Sequence, residues 1–361
     1  MVVMEQRIRE IDYTRAICAM AVIVIHVSAG YVEYSDAAYY LNQTSRFAVP
    51  MFIILSGFSI LLSDKNKSLS AGSFIKKRFG KILIPYLFWS LFYFTFANRH
   101  GFTTTDPSSL LSTLGKQLYT GTAYIHLYFL VIMFQLYFMY PFLKKWIVEK
   151  PMVMLSASFI ISFGMHLMIY LHALQIAALP SIGVPYVILF PVWIFYFVLG
   201  AYIAINKETI LQKIRDMSLV KLLLVWLCTW LILIMESNAT QTYTSSTKPS
   251  IMLYTLFSFI FFYKCMTYFM KIGSKASVIL QWYSVHSFFI YLIHPFVLSA
   301  LAIATPSIWA TKMGLWLQLL CTFLLSTAIT HLCSRFRMVQ TIGGVYHNPS
   351  ERKKRRATME A

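Results

Sequence analysis

Carboxylates are scarce in this chain, which holds 13 Asp and Glu against 31 Lys and Arg in 361 residues, for a net charge of +18. So few acids exclude a dense carboxylate centre of the kind that cages calcium. Charge of either sign is thin. Only 12% of residues are charged and 58% are hydrophobic, where a soluble domain carries about 25% and about half. With a mean hydropathy of +0.64, the chain reads as an integral membrane protein. Cysteine is also sparse. Cys18, Cys228, Cys265, Cys321 and Cys333 lie in or at the ends of apolar segments, with no C-x-x-C pair. Neither a disulfide framework nor a zinc site is expected. The sequence has no H-E-x-x-H and no glycine-rich phosphate loop, so no metal and no bound cofactor are expected.

What is abundant is long apolar sequence. Ten stretches suffice to cross a hydrocarbon core of about 30 Å, near 13–32, 46–63, 82–98, 124–143, 152–172, 184–205, 219–236, 250–270, 280–303 and 313–333. The expected fold is all-α, with about ten transmembrane helices. If the N-terminus is cytoplasmic, the inside segments hold 26 of the 31 basic residues, and the outside segments hold only Arg46, Arg99, Lys116, Lys248 and Lys312. That asymmetry follows the positive-inside rule and places both termini in the cytoplasm. The basic surplus is then topological, which removes nucleic acid as a partner and leaves membrane lipid. Residues 1–333 read as one membrane domain. Residues 334–361 read as a basic cytoplasmic tail whose Glu351-Arg352-Lys353-Lys354-Arg355-Arg356 run suits anionic headgroups. Val27-Ser28-Ala29 would pass as a leader cleavage site. Glu5, Glu10 and Asp12 crowd the segment before it and His26 interrupts the apolar run, so the first segment reads as a retained span. No internal repeat or inverted half-to-half symmetry of the transporter kind is visible.

Titratable groups inside membrane helices are costly and usually functional. Arg15 and His26 are eleven residues apart in the first span, about three helical turns and about 16 Å of rise, and so share a face. Asp12 lies three residues before Arg15 and can pair with it. A neutral imidazole at the depth of His26 is a usable general base, although a buried histidine can also serve only to bond a backbone carbonyl. Further on, Phe74-Ile-Lys76-Lys77-Arg78-Phe-Gly80-Lys81 leads into the third span through Pro85-Tyr86. Arg78 and Lys81 are one turn apart, and two cations on one face can clamp phosphates of a donor such as coenzyme A. The competing reading is ordinary inside charge. In Phe52-Ile-Ile-Leu-Ser56-Gly57-Phe58 the Ser-Gly pair suits close helix approach, and Ser56 is also a candidate acyl acceptor. Tyr124-Ile-His126-Leu-Tyr128-Phe places His126 near the outer surface. Tyr291-Leu-Ile-His294-Pro295 sets His294 deeper, beside a proline that frees a backbone carbonyl.

In chain order these segments resemble acyltransferase family 3, multi-span membrane enzymes that acylate cell-envelope glycans. The resemblance covers about 300 residues, and its R-x10-H element falls on Arg15 and His26. It implies ten spans, an acyl-CoA donor from the cytoplasm and a glycan acceptor at the outer face of a bacterial plasma membrane. It carries a catalytic role onto His26, an essential one onto Arg15 and donor binding onto Arg78 and Lys81. Asp12, Ser56, His126, Tyr128 and His294 are supporting candidates. Two positions depart from the family pattern. Lys81 stands where its R-x-x-R element has a second arginine, and Tyr128 stands where a tryptophan is common. The expected activity is transfer of an acyl group, acetyl first among candidates, to a glycan hydroxyl. The alternatives are a transporter or exporter of a glycan intermediate, and a lipid-directed acyltransferase of another multi-span class.

Overall fold

The computed structural model describes residues 8–65, 70–99, 106–241, 245–272, 274–309 and 311–343. Every regular element among them is helical: α1 (Arg9–Ala29), α2 (Asp36–Ser45), α3 (Ala48–Lys65), α4 (Ala71–Ala97), α5 (Pro107–Thr120), α6 (Tyr128–Glu149), α7 (Pro151–Ala173), α8 (Phe190–Ile205), α9 (Lys207–Asp216), α10 (Leu219–Thr240), α11 (Pro249–Ile272), α12 (Ser274–Ala304), α13 (Pro306–Trp309), α14 (Lys312–Cys333) and α15 (Arg337–Ile342). Among the described residues, nine helical segments are long and apolar enough to cross a membrane, with α2–α3 counted as one. The expected span at 124–143 corresponds to α6, which is not one of the nine. Its 22 residues rise about 33 Å. Gln135, three tyrosines and the Lys144-Lys145 pair dilute its apolarity.

The first span is the middle of the bundle. Its apolar stretch is 72% buried, against 17% for α7 and 22% for α10. Helix α1 packs against α12, α2, α3, α11 and α14, so Arg15 and His26 are displayed inside the protein rather than to lipid. Helices α7 and α10 instead expose Phe159, Ile160, Leu224 and Met235, the outer face expected of lipid-contacting helices. Short helices occupy segments that the hydropathy pattern leaves as connections. In α2, Ser35 caps the first turn by accepting from the Ala38 amide. The helix is then tied to α10 and α11: Trp230 Nε1 donates to Thr44 Oγ1 at 2.9 Å and Tyr254 donates to the Thr44 carbonyl at 2.7 Å. The beginning of the expected tail is also ordered. Trp89 Nε1 donates to the Ile342 carbonyl at 3.0 Å and holds α15 on α4. The basic run 351–356 lies outside the described residues.

Helices α3 and α8 cross where each presents a glycine to the other's backbone. A Cβ on Gly57 would fall 2.1 Å from the Phe197 carbonyl oxygen, and one on Gly200 would fall 1.9 Å from that of Ile54. The close approach expected at Ser56-Gly57 is therefore made by the glycine, which turns Ser56 inward. Overpacking a well-packed core costs about 1–3 kcal/mol, and here the obstacle is backbone. Gly200→Ala is expected to lower the thermal midpoint and folded yield of the detergent-solubilised protein, and the same change at Gly80, where nothing lies within 4 Å, is expected to leave both as they are.

Candidate functional site

Asp12 and Arg15 occupy successive turns of α1. Arg15 Nη1 donates to Asp12 Oδ1 at 3.3 Å and Nη2 donates to Ser59 Oγ of α3 at 2.8 Å. Helix α4 delivers the second set of cations, because the basic run and the apolar run behind it form one continuous helix. Arg78 Nη2 donates to Ser63 Oγ at 2.7 Å, and its guanidinium lies 5.7 Å from the Phe74 ring centre. Beyond it, Asp64 is paired with Lys144 at 2.8 Å and accepts from the Tyr140 hydroxyl at 3.0 Å. That pairing takes up Lys144, so the cations at this place are Arg15, itself paired with Asp12, together with Arg78 and Lys81. Those three line one cavity of about 210 Å³ together with Ser56, Tyr137 and Tyr291. Tyr137 stands beside Ser56, Arg78 and Arg15. Four residues that the sequence marks out separately, on α1, α3 and α4, thus share one cavity.

At the other end of α1, three histidines meet. The ring centre of His26 is 5.1 Å from that of His294 and 6.5 Å from that of His126, and the last two are 5.9 Å apart. His26 comes from α1, His126 from the turn before α6 and His294 from the middle of α12. His126 and His294 are 1% and 0% exposed. His294 Nδ1 lies 3.1 Å from the Ile290 carbonyl, which directs Nε2 the other way. That Nε2 is buried without a hydrogen-bond partner, and the His126 ring lies against the Leu292 backbone. His126, expected near the outer surface, is enclosed within the protein, in the turn that leads into α6. Stacking of Tyr124 on Tyr93, with centres 4.2 Å apart, and a bond from the Tyr291 hydroxyl to the His126 carbonyl fold its turn inward.

The distortion expected at Pro295 is present. The Tyr93 hydroxyl enters the α12 hydrogen-bond ladder, donating to the Leu292 carbonyl at 2.7 Å and accepting from the Phe296 amide at 3.1 Å. A side chain inserted into the ladder is a recognised cause of helix bending, and this one brackets His294. Tyr291, one turn earlier, joins the two halves of the site. It lines the cationic cavity, and its ring centre is 5.1 Å from that of His126 and 6.3 Å from that of His294.

Arg46 is an unforeseen member. It follows α2, is 5% exposed, and donates to Asn42 Oδ1 and, at 3.2 Å, to Ser246 Oγ. Its charge acts on His26 and Tyr128, so it stands as a wall beside the histidine cluster, away from Arg15. Tyr128 belongs to the same wall. Asn42 Nδ2 donates to the Ile25 carbonyl and to Ser28 Oγ, both at 3.0 Å, which fixes the turn of α1 that carries His26. Among the described residues no group of three or more His, Cys, Asp or Glu is disposed to hold a metal ion.

A membrane bundle with a cationic cavity and, beyond its Tyr291 wall, a cluster of imidazoles defines a class of polytopic protein built around internal polar groups. The family model described as an acyltransferase domain, that of acyltransferase family 3, matches residues 8–335, and the chain belongs to this family. It is a multi-pass membrane protein. It is 26% identical over 336 residues to the "Probable poly-beta-1,6-N-acetyl-D-glucosamine export protein" of Staphylococcus aureus strain Mu50, covering 89% of this chain and 90% of that one. The protein of the same description from Staphylococcus epidermidis is 26% identical over 317 residues, with 81% of each chain covered. No solved structure matches.

Proposed function

We propose that this protein is a membrane O-acyltransferase that moves an acyl group, acetyl first among candidates, from cytoplasmic acyl-CoA to a hydroxyl of an envelope glycan. The observation that carries the reading is the cavity bearing Arg15, Arg78 and Lys81 whose inner wall, Tyr291, also packs on the histidine cluster. Three cations at one mouth suit donor phosphates, and a guanidinium binds phosphate through two parallel hydrogen bonds. With the thioester held at the inner end, His26 accepts the proton of the acceptor hydroxyl as its oxygen attacks the thioester carbonyl. The C–S bond breaks, the ester C–O bond forms, and the imidazolium returns the proton to the departing thiolate. Asp12 and Ser59 hold Arg15 in place, and Ser56 and Tyr137 line the path of the acyl arm. The relatives' names point to a β-1,6-linked N-acetylglucosamine polymer as the acceptor.

Those names also favour a second reading, export of such a polymer. A pure exporter has no use for a phosphate-binding cavity on the side opposite the emerging chain. The comparison that separates the two is NMR of surface polysaccharide from cells with and without the protein: an O-acyl ester signal present only with it supports transfer, and its absence from polymer that still reaches the surface supports export.

The reading includes ten spans, with α6 as the tenth, and both termini in the cytoplasm. Single cysteines labelled with an impermeant reagent in a cysteine-free background are expected to react from outside at 106–123 and from inside at 70–81, 206–221 and 334–343. Labelling of 334–343 from outside would reverse the donor side.

A further inference from the structure

The end of the cavity away from its cations bears on which acyl group the protein transfers, a point that rests on the acyltransferase reading. Helix α3 sets the scale of depth. Ser63 accepts from Arg78 at 2.7 Å and Ser59 accepts from Arg15 at 2.8 Å. Ser56 lies on the next turn, beside Tyr137 of α6, and Phe52 lies one turn beyond that. Ser63 and Phe52 are eleven residues apart, about 16 Å along the helix. Helix α6 repeats the order. Tyr137 stands by the cations, and Phe129, about two turns away, meets Phe52 with ring centres 6.2 Å apart. The Phe129 ring centre is in turn 5.6 Å from that of Tyr291 on α12.

Phe52, Phe129 and Tyr291 thus join three helices in one arc of rings, and all three line the cavity. Tyr291 is held in place because its hydroxyl donates to the His126 carbonyl. The rings of His126 and His294 stand behind it, at 5.1 and 6.3 Å. Leu130 and Met133 of α6 continue the apolar lining. Cationic at one end and apolar at the other, the cavity has the polarity of an acyl-CoA whose phosphates stay with the cations and whose acyl group leads.

Volume limits what can lead. At about 210 Å³ the cavity is smaller than the clefts of about 300–1,000 Å³ that commonly hold small molecules, and the arm that carries the thioester fills part of it. Protein interiors are close-packed, and forcing extra methylenes into them is costly. An acetyl group brings its carbonyl up to the arc of rings. A longer chain meets the rings first and holds its carbonyl back toward Ser56, away from the histidines.

We propose that Phe52, Phe129 and Tyr291 act as a collar that sets the length of the transferred acyl group, admitting donors of acetyl size and rejecting straight chains of hexanoyl length.

The test is calorimetric titration of the detergent-solubilised full-length protein with free CoA, acetyl-CoA and hexanoyl-CoA, each corrected for uptake by empty micelles. Hexanoyl-CoA is expected to bind at least about tenfold more weakly than acetyl-CoA, the lower end of the discrimination that a single misfitting methylene gives in an apolar pocket. Phe52→Ala and Phe129→Ala, which open the collar from α3 and from α6, are each expected to raise hexanoyl-CoA affinity relative to acetyl-CoA about tenfold. Loss of folded protein cannot imitate that gain, because both donors are read on one preparation. Phe52→Leu keeps a branched apolar side chain for packing and is expected to shift the same ratio in the same direction by a smaller factor. Equal binding of the two donors by the unaltered protein, or an unchanged ratio in the variants, would overturn the collar and leave the donor cavity standing. Absence of CoA binding would overturn the donor reading and the collar with it. Length-selective binding by a protein that forms no ester on an N-acetylglucosamine trisaccharide would support the collar and count against transfer.

Discussion

His26→Gln is expected to reduce acyl transfer by about 10²- to 10⁴-fold, the usual cost of removing a general base, while the amount of monodisperse protein stays unchanged. Glutamine keeps a polar group of similar length at the crossing of α1 and α12 but cannot take up the proton. The geometry makes this variant informative. His26 is only half-buried, whereas His126 and His294 are enclosed, so a change at His26 disturbs the packing least. Specific activity is normalised to folded protein measured by size exclusion, and donor affinity is measured alongside. Loss of activity with donor affinity intact assigns the residue to the chemical step. Near-normal activity would remove His26 from the mechanism and leave the cluster as packing.

Arg78→Ala is expected to weaken donor binding by roughly 10- to 100-fold, since a hydrogen bond to a charged group is worth about 1.5–3 kcal/mol and each 1.4 kcal/mol is a factor of ten. Arg78→Lys should fall between the two, because lysine keeps the charge but not the fork of parallel donors. The neighbouring Lys77 provides the contrast. It lies on the same helix, does not line the cavity and is exposed, so Lys77→Ala should bind donor as the unaltered protein does. Equal effects at positions 77 and 78 would mean that the basic run acts only through net charge. The measurement is equilibrium binding of CoA to purified protein at two ionic strengths, because a screened surface attraction weakens with salt far more than a contact inside a cavity.

Several of these features are legible along single helices. The apolar runs mark the spans, the Asp12–Arg15 spacing marks the ion pair, and the one-turn separation of Arg78 and Lys81 marks a shared face. Each is a local pattern. Where separate helices meet is not legible in the same way. His26, His126 and His294 stand on three elements far apart in sequence, and their convergence goes with the entry of the Tyr93 hydroxyl into the α12 ladder beside Pro295, a tertiary event. Arg46 hides among the topological charges. The signal it does carry is its sign, a cation on the side of the chain that holds only five. Tyr137 carries no signal at all, because in a chain that is 17% aromatic one more tyrosine does not stand out, and Tyr291 is marked only as the start of the segment that holds His294. The short helices α2, α5 and α9 escape for another reason: 10 to 14 residues give too few turns for periodicity to rise above a polar connection.

On the acyltransferase reading, one protein couples a donor on the Arg78 side to an acceptor on the Arg46 side. The most direct measurement of that coupling uses purified protein reconstituted in one orientation in liposomes, with acyl-labelled CoA supplied to one face at a time and an N-acetylglucosamine trisaccharide to the other. Labelled ester is expected on the sugar only when the CoA is on the Arg78 face, and none with His26→Gln. A trisaccharide that crosses the bilayer unmodified, with no ester formed from either side, would contradict it.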